Sequence, residues 1–252
     1  HIAMQDSTPI ILLIGQIARN HSEREAFQEV DYRRMFGQIA KWVGQIDDEN
    51  RVAEYMSHAF YRAQAGRPGP VVLALPEDML RARASSCTIA PAVEIQSHPG
   101  RDDIFKMYSL LKKAQKPLAI IGGGGWNIKS CKDFQDFAEA NKIPVCVTFR
   151  CQDRFDNTHT NYCGDLGVGQ NPKLQTRVQD ADLLLVIGTR LGEMSTGGYT
   201  LINIPKPKQT MIHVHQGPEE LGWVYQPELA INSGMKNFAA ALKEMPQIKA
   251  TW

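Results

Sequence analysis

Short, unbroken apolar runs alternate along this chain with stretches whose apolar residues recur every three or four positions. Pro9 to Ile14 is one such run, ending at Gly15, and suits a strand covered on both faces as in a parallel sheet. Arg51 to Ala65 has the helical period instead, with Val52, Tyr55, Met56, Ala59, Phe60 and Ala63 on one face. Gly66-Arg67-Pro68-Gly69-Pro70 stops that helix, because proline cannot continue it and glycine relaxes the turn. Val71 to Leu75 follows as a second buried strand closed by Pro76. Strand, helix, strand without apolar–polar alternation predicts βαβ construction.

The pattern resumes after a stretch without a clean period, residues 81–100, which reads as an extended interdomain connection. Ile104, Met107, Tyr108, Leu110 and Leu111 predict a helix face. Leu118 to Ile121 is then a buried strand that runs straight into Gly122-Gly123-Gly124-Gly125. Ile128, Cys131, Phe134, Phe137 and Ala138 predict the helix beyond it. Glycines in such a turn admit positive φ and close backbone approach to a ligand. The amides that open the helix favour a phosphate or pyrophosphate. A tight turn with no ligand is the other reading, and the spacing is not G-x-G-x-x-G. Further strands are predicted at Pro144 to Phe149, at Leu183 to Ile187 with Gly188-Thr189-Arg190 after it, at Met211 to Val214, and at Leu229 to Ile231. Helices are predicted at Leu174/Val178 and Phe238 to Leu242. The glycine-rich residues 164–169 lack a following lysine and are no Walker loop. His213 and His215 are expected on opposite faces of their strand, which would keep them from sharing a metal.

Composition narrows the function classes. The 252 residues suffice for one large or two modest domains. A formal net charge of +1 provides no field for nucleic acid. No apolar run approaches membrane-spanning length. The five cysteines, at 87, 131, 146, 151 and 163, form no C-x-x-C pair, and their odd number argues against a disulfide framework, so a reducing cytoplasm is expected. No signal peptide, H-E-x-x-H or G-x-S-x-G pattern is visible, and no metal ligands are assigned. The opening lacks an initiator Met, and residues 1–4 read as the tail of an earlier element. The chain is therefore expected to be a piece of a longer protein.

Gly15-Gln16, Glu25-Ala26-Phe27-Gln28-Glu29, Ala65 to Val71 and Leu75-Pro76-Glu77-Asp78 occur in an order that resembles the acetolactate synthase-like family of thiamine diphosphate enzymes. Lys116-Pro117 with the glycines, Ala181 to Arg190, Ile212-His213-Val214 through Pro218, and Glu220-Leu221-Gly222 extend the resemblance to that family's central domain. The resemblance implies an α/β chain: residues 1–80 as the second half of a pyrimidine-binding domain, 81–100 as linker, and 101–252 as a Rossmann-like parallel six-stranded domain. It implies decarboxylation or carboligation of a 2-oxo acid with thiamine diphosphate and Mg2+, by a homodimer or homotetramer. Phe27 and Gln28 would face the reaction, and Gly15 and Gln16 the cofactor. Gly123, Gly124, Thr189 and Arg190 would lie beside FAD or ADP, where the family binds either one or no nucleotide. The family's catalytic glutamate and its metal-diphosphate motif match nothing in the chain, so the chain alone is expected to be inactive. Three departures mark a divergent relative. Met194 stands for an arginine tied to substrate preference, His215 and Gly217 for two acids, and Glu77 for a lysine. The alternative is a non-catalytic module that binds FAD or ADP. The patterns of sirtuin-like deacylases and nicotinamide dehydrogenases are absent.

Overall fold

The computed structural model describes residues 1–85, 87–248, 250 and 252. They divide into two compact units, 1–95 and 96–252. Ser86, within the expected linker, lies outside the described residues, as do 249 and 251 in the second domain.

The first unit carries the short helices α1 (Ile2–Gln5), α2 (Tyr32–Phe36) and α4 (Glu77–Leu80), the longer α3 (Val52–Gln64), and strands β1 (Ile11–Gln16), β2 (Trp42–Gln45) and β3 (Val71–Pro76). All strands are parallel, in the order β1-β3-β2. Apolar β3 is therefore central, and Val71 and Leu73 pack with Ile46, Ala59, Ala63 and Met79 into the core. Two expectations need correction. β1 is not covered on both faces: it lies at the sheet edge, with Leu12 41% and Leu13 50% exposed. On α3, Val52 and Phe60 are exposed rather than part of the buried face. The strand Trp42-Val43-Gly44-Gln45 has no apolar run and escaped the sequence reading; pairing to β3 makes it a strand.

The second unit holds α5 (Arg101–Lys113), β4 (Pro117–Ile121), α6 (Ile128–Ala140), β5 (Val145–Thr148), β6 (Tyr162–Leu166), α7 (Pro172–Asp180), β7 (Leu183–Ile187), β8 (Thr210–His215), β9 (Leu229–Asn232) and α8 (Met235–Lys243). Its six strands are all parallel, in the order β6-β5-β4-β7-β8-β9. On one face Met107, Leu111, Phe134, Phe137, Phe238 and Leu242 bring α5, α6 and α8 against the sheet. On the other, α7 contributes Leu174 and Val178, and the connections contribute Leu201, Ile202 and Tyr225. Full burial of Phe134 alone removes about 2–3 kcal/mol worth of apolar surface from water. The sixth strand, β6, falls in the segment read as a glycine-rich turn. Gly164 sits inside it with φ +116°, beside a register shift against β5.

Asn127 caps α6 by accepting from the Ser130 N–H at 2.8 Å, and the Ser130 hydroxyl accepts from the Asn127 N–H at 2.8 Å. At the other end Asn141 donates to the Phe137 carbonyl at 2.8 Å and accepts from the Ile248 N–H at 2.7 Å, tying the C-terminal residues to the helix. Ser97, within the expected connection, bonds to the start of α8: the Gly234 N–H donates to the Ser97 carbonyl at 3.0 Å.

Candidate functional site

In the second unit β4 leads to β5 on one side while β7 pairs on its other side, so the strand order reverses between β4 and β7. Parallel α/β sheets bind ligands in the crevice above such a reversal, at the carboxyl ends of the strands. Two turns flank it here. One is Gly122 to Gly125 after β4, and the other is Gly188-Thr189-Arg190 after β7.

The two turns are packed into each other. Gly123 has φ +68°, and a Cβ on it would strike the Gly188 carbonyl oxygen. Gly188 has φ +75°, and a Cβ there would lie 2.8 Å from the Met235 sulfur. The Trp126 indole N–H donates to the Gly122 carbonyl at 2.9 Å and closes the turn. These glycines are therefore required by backbone packing alone. Gly124 differs: a Cβ on it would meet nothing within 4 Å, so its backbone is the part open to close approach.

Thr189 is buried, and its hydroxyl accepts from the Leu191 N–H at 3.3 Å. Leu191 is buried with φ +53°, which costs a non-glycine residue about 1–2 kcal/mol. Beneath the turn, His213 Nε2–H donates to the Thr189 carbonyl at 2.9 Å. Its Nδ1 has no hydrogen-bond partner among the described residues. Burial pushes the His213 pKa down to about 4, so the ring is neutral. His215 Nδ1 accepts from the Gly217 N–H at 3.0 Å, and burial lowers its pKa too. The expectation that these histidines face opposite sides was wrong. Residues two apart on a strand share a face, and the rings lie 6.3 Å apart between centroids. Among the described residues no three His, Cys, Asp or Glu side chains gather to hold a metal ion.

The rim fits the phosphates of a nucleotide at the open Gly124 backbone and at half-buried Arg190. It fits an adenosine ribose less well. His215-Gln216 offers no carboxylate after β8, and the Gln216 amide crowds Gly125, where a Cβ would lie 2.7 Å from Oε1. Asn127 already occupies one first-turn amide of α6. Ile128, expected in the buried face of that helix, is 92% exposed at its start.

The first unit carries the other predicted residues at the carboxyl end of β1. The Gly15 carbonyl accepts from the Tyr32 hydroxyl at 3.1 Å. The Gln16 side chain donates to the Val30 carbonyl at 2.8 Å and accepts from the Ile17 N–H at 2.9 Å. Both residues thus anchor the loop 17–31. Arg19 ties that loop to the other strand ends. Its Nε–H donates to Asp78 Oδ2 at 2.7 Å and its guanidinium to the Asp47 carbonyl. Phe27, 88% exposed, and exposed Gln28 stand at the outer part of the loop, Gln28 with φ +69°. Glu77 pairs with Arg81. The anchors Arg19, Tyr32 and Glu29 were missed. Only Glu29 had a signal, its place in the motif with Phe27 and Gln28.

A six-stranded parallel sheet with helices on both faces and a glycine turn at its reversal point defines the second unit as a Rossmann-like α/β domain. The family described as "Thiamine pyrophosphate enzyme, central domain" matches residues 104–242. The chain belongs to that family. Acetolactate synthase large subunit of Corynebacterium glutamicum is 28% identical over 95% of this chain and 38% of its own length. Acetolactate synthase isozyme 2 large subunit of Escherichia coli is 27% identical over 96% of this chain and 44% of its own length. The probable acetolactate synthase large subunit of Methanocaldococcus jannaschii is 29% identical, over 99% and 44%. The chain thus spans about two fifths of the length of these curated relatives. No helix is long and apolar enough to cross a membrane among the described residues.

Proposed function

We propose that the protein carrying this chain is a thiamine diphosphate-dependent, Mg2+-requiring enzyme that decarboxylates a 2-oxo acid or joins it to a second carbonyl. The observation that carries the reading is the reach of the similarity. It covers 95–99% of the chain and so runs through both units, not the central domain alone. Bound thiamine diphosphate would supply the electron sink for the departing carboxylate. This chain's part is binding and orientation. Phe27 offers an apolar wall, and the Gln28 amide can donate to the oxygens of the 2-oxo acid. Gly15 and Gln16 line the cofactor side and anchor the loop. Glu77, a carboxylate beside an acidic substrate, disfavours the most highly charged acids.

Residues 1–80 are read as part of a pyrimidine-binding domain, 81–100 as connection and 101–252 as central domain. The edge position of β1, with its exposed leucines, supports a sheet that continues beyond it. In the central domain Gly123, Gly124, Thr189 and Arg190 form the proposed site for the phosphates of FAD or ADP. The working form is a homodimer or homotetramer. Its location is the cytoplasm, in keeping with the five free cysteines.

The test is carbon dioxide release from pyruvate and its longer homologues by the full-length protein, with and without thiamine diphosphate and Mg2+. Cofactor-dependent turnover is expected there and not from the 252-residue chain alone. Phe27→Ala and Gln28→Ala should each lower full-length turnover by about tenfold or more. Absence of any thiamine-dependent decarboxylation would overturn the reading.

A further inference from the structure

The loop between β1 and α2 is built around one carboxylate. Glu29 Oε1 accepts from the Glu23 N–H at 2.6 Å, and Oε2 accepts from the Ala26 N–H at 3.1 Å. The Glu29 N–H in turn donates to the Ala26 carbonyl at 2.9 Å. Within this small ring three non-glycine residues are left-handed: Glu23 at φ +63°, Glu25 at +52° and Gln28 at +69°. Such residues persist only where surrounding contacts over-determine them. Apolar packing does not do so here, because Glu23, Arg24, Glu25, Phe27 and Gln28 are all exposed. The carboxylate clasp is the contact that opposes relaxation. Its hydrogen bonds from the Glu23 and then the Ala26 amide hold the Glu29 carboxyl below the ordinary glutamate range.

We infer that Glu29 is a positioning residue: its carboxylate clasps the Glu23 and Ala26 amides and thereby sets the direction in which Phe27 and Gln28 are presented. Both of its carboxylate oxygens are committed to backbone amides, so it acts through Phe27 and Gln28. The clasp stands on geometry alone; its catalytic consequence rests on the reading of Phe27 and Gln28 given above. Glu29→Gln is close to isosteric but neutral, and must turn an amide nitrogen toward one of the two N–H donors. Glu29→Asp keeps the charge on a shorter arm.

The test has two arms on the full-length protein. Amide hydrogen exchange is read at Glu23 and Ala26, where Glu29→Gln should lose protection by about tenfold or more while the β3 amides remain as in the wild type. Steady-state kinetics are read on the same variants. Glu29→Gln should lower kcat by about tenfold, and Glu29→Asp should recover part of both exchange protection and kcat. Unchanged exchange at Glu23 and Ala26 overturns the clasp. Lost protection with unchanged kcat overturns the positioning role. Failure of the underlying reading is a separate result, visible as unchanged turnover in Phe27→Ala and Gln28→Ala.

Discussion

Mild acid should destabilise the central unit through His213. The imidazole is 2% exposed beneath the turn at Thr189. Burial above all, and His215 beside it to a smaller degree, bring its pKa down to about 4 against the pull of the Thr189 carbonyl. In the unfolded chain a histidine titrates near ~6.5. Between these values the unfolded chain binds a proton that the folded ring refuses. The stability conferred by the neutral ring is therefore complete above about pH 6.5 and is lost as pH falls toward 4. A gap of about 2.5 units corresponds to about 3 kcal/mol, a large share of the stability of an ordinary domain. His215, lowered by the same cause, acts with the same sign. His213→Gln removes the titration and keeps an N–H that can reach the Thr189 carbonyl. Urea unfolding at about pH 7 and about pH 4, followed by the fluorescence of buried Trp126 in a background with Trp42, Trp223 and Trp252 replaced by Phe, measures the difference. The wild type should lose about 3 kcal/mol more than the variant on acidification. An equal loss in the two would refute the reasoning.

Gly123→Ala forces a Cβ onto the Gly188 carbonyl at a left-handed φ and should cost about 2–4 kcal/mol in urea unfolding, whereas Gly124→Ala should stay within about 1 kcal/mol. Any loss of nucleotide binding in Gly124→Ala, read by flavin absorbance or calorimetry with ADP, would then be direct. Asn141→Ala leaves the Ile248 N–H without its partner, while the Phe137 carbonyl keeps the backbone N–H of residue 141, and should destabilise by about 1–3 kcal/mol, with faster amide exchange at Ile248 as the local signature.

Most of the second unit could be read from residues alone. Strands β4, β7 and β8 are short apolar runs with turn signals behind them, and α5, α7 and α8 carry their buried residues at helical spacing. The strands that escaped, β2 and β6, are poor in apolar residues and interrupted by glycine, so no local pattern marks them. The site was legible only in part. The motif around Phe27 and Gln28 named the loop, but not that Glu29, Arg19 and Tyr32 hold it. The Arg19 bond joins residues far apart in sequence, Arg19 with Asp78, and the Glu29 bonds, though local, follow no helical or strand period. Resemblance, rather than periodicity, named the family, which the match over 104–242 then established.

By itself the amino-acid sequence determined the parallel α/β character, because buried strands and amphipathic helices are written in local spacing. It also determined that glycine occupies 122 to 125. Only the tertiary structure decided what those glycines are for. Gly123 makes room for the Gly188 carbonyl across two strand ends, and Gly124 alone is left open. The same holds for β1, whose apolar run reads as buried but whose neighbour is present on one side only. A residue's type sets what it can tolerate, while strand order sets what stands next to it, and that order depends on contacts that no window of sequence contains.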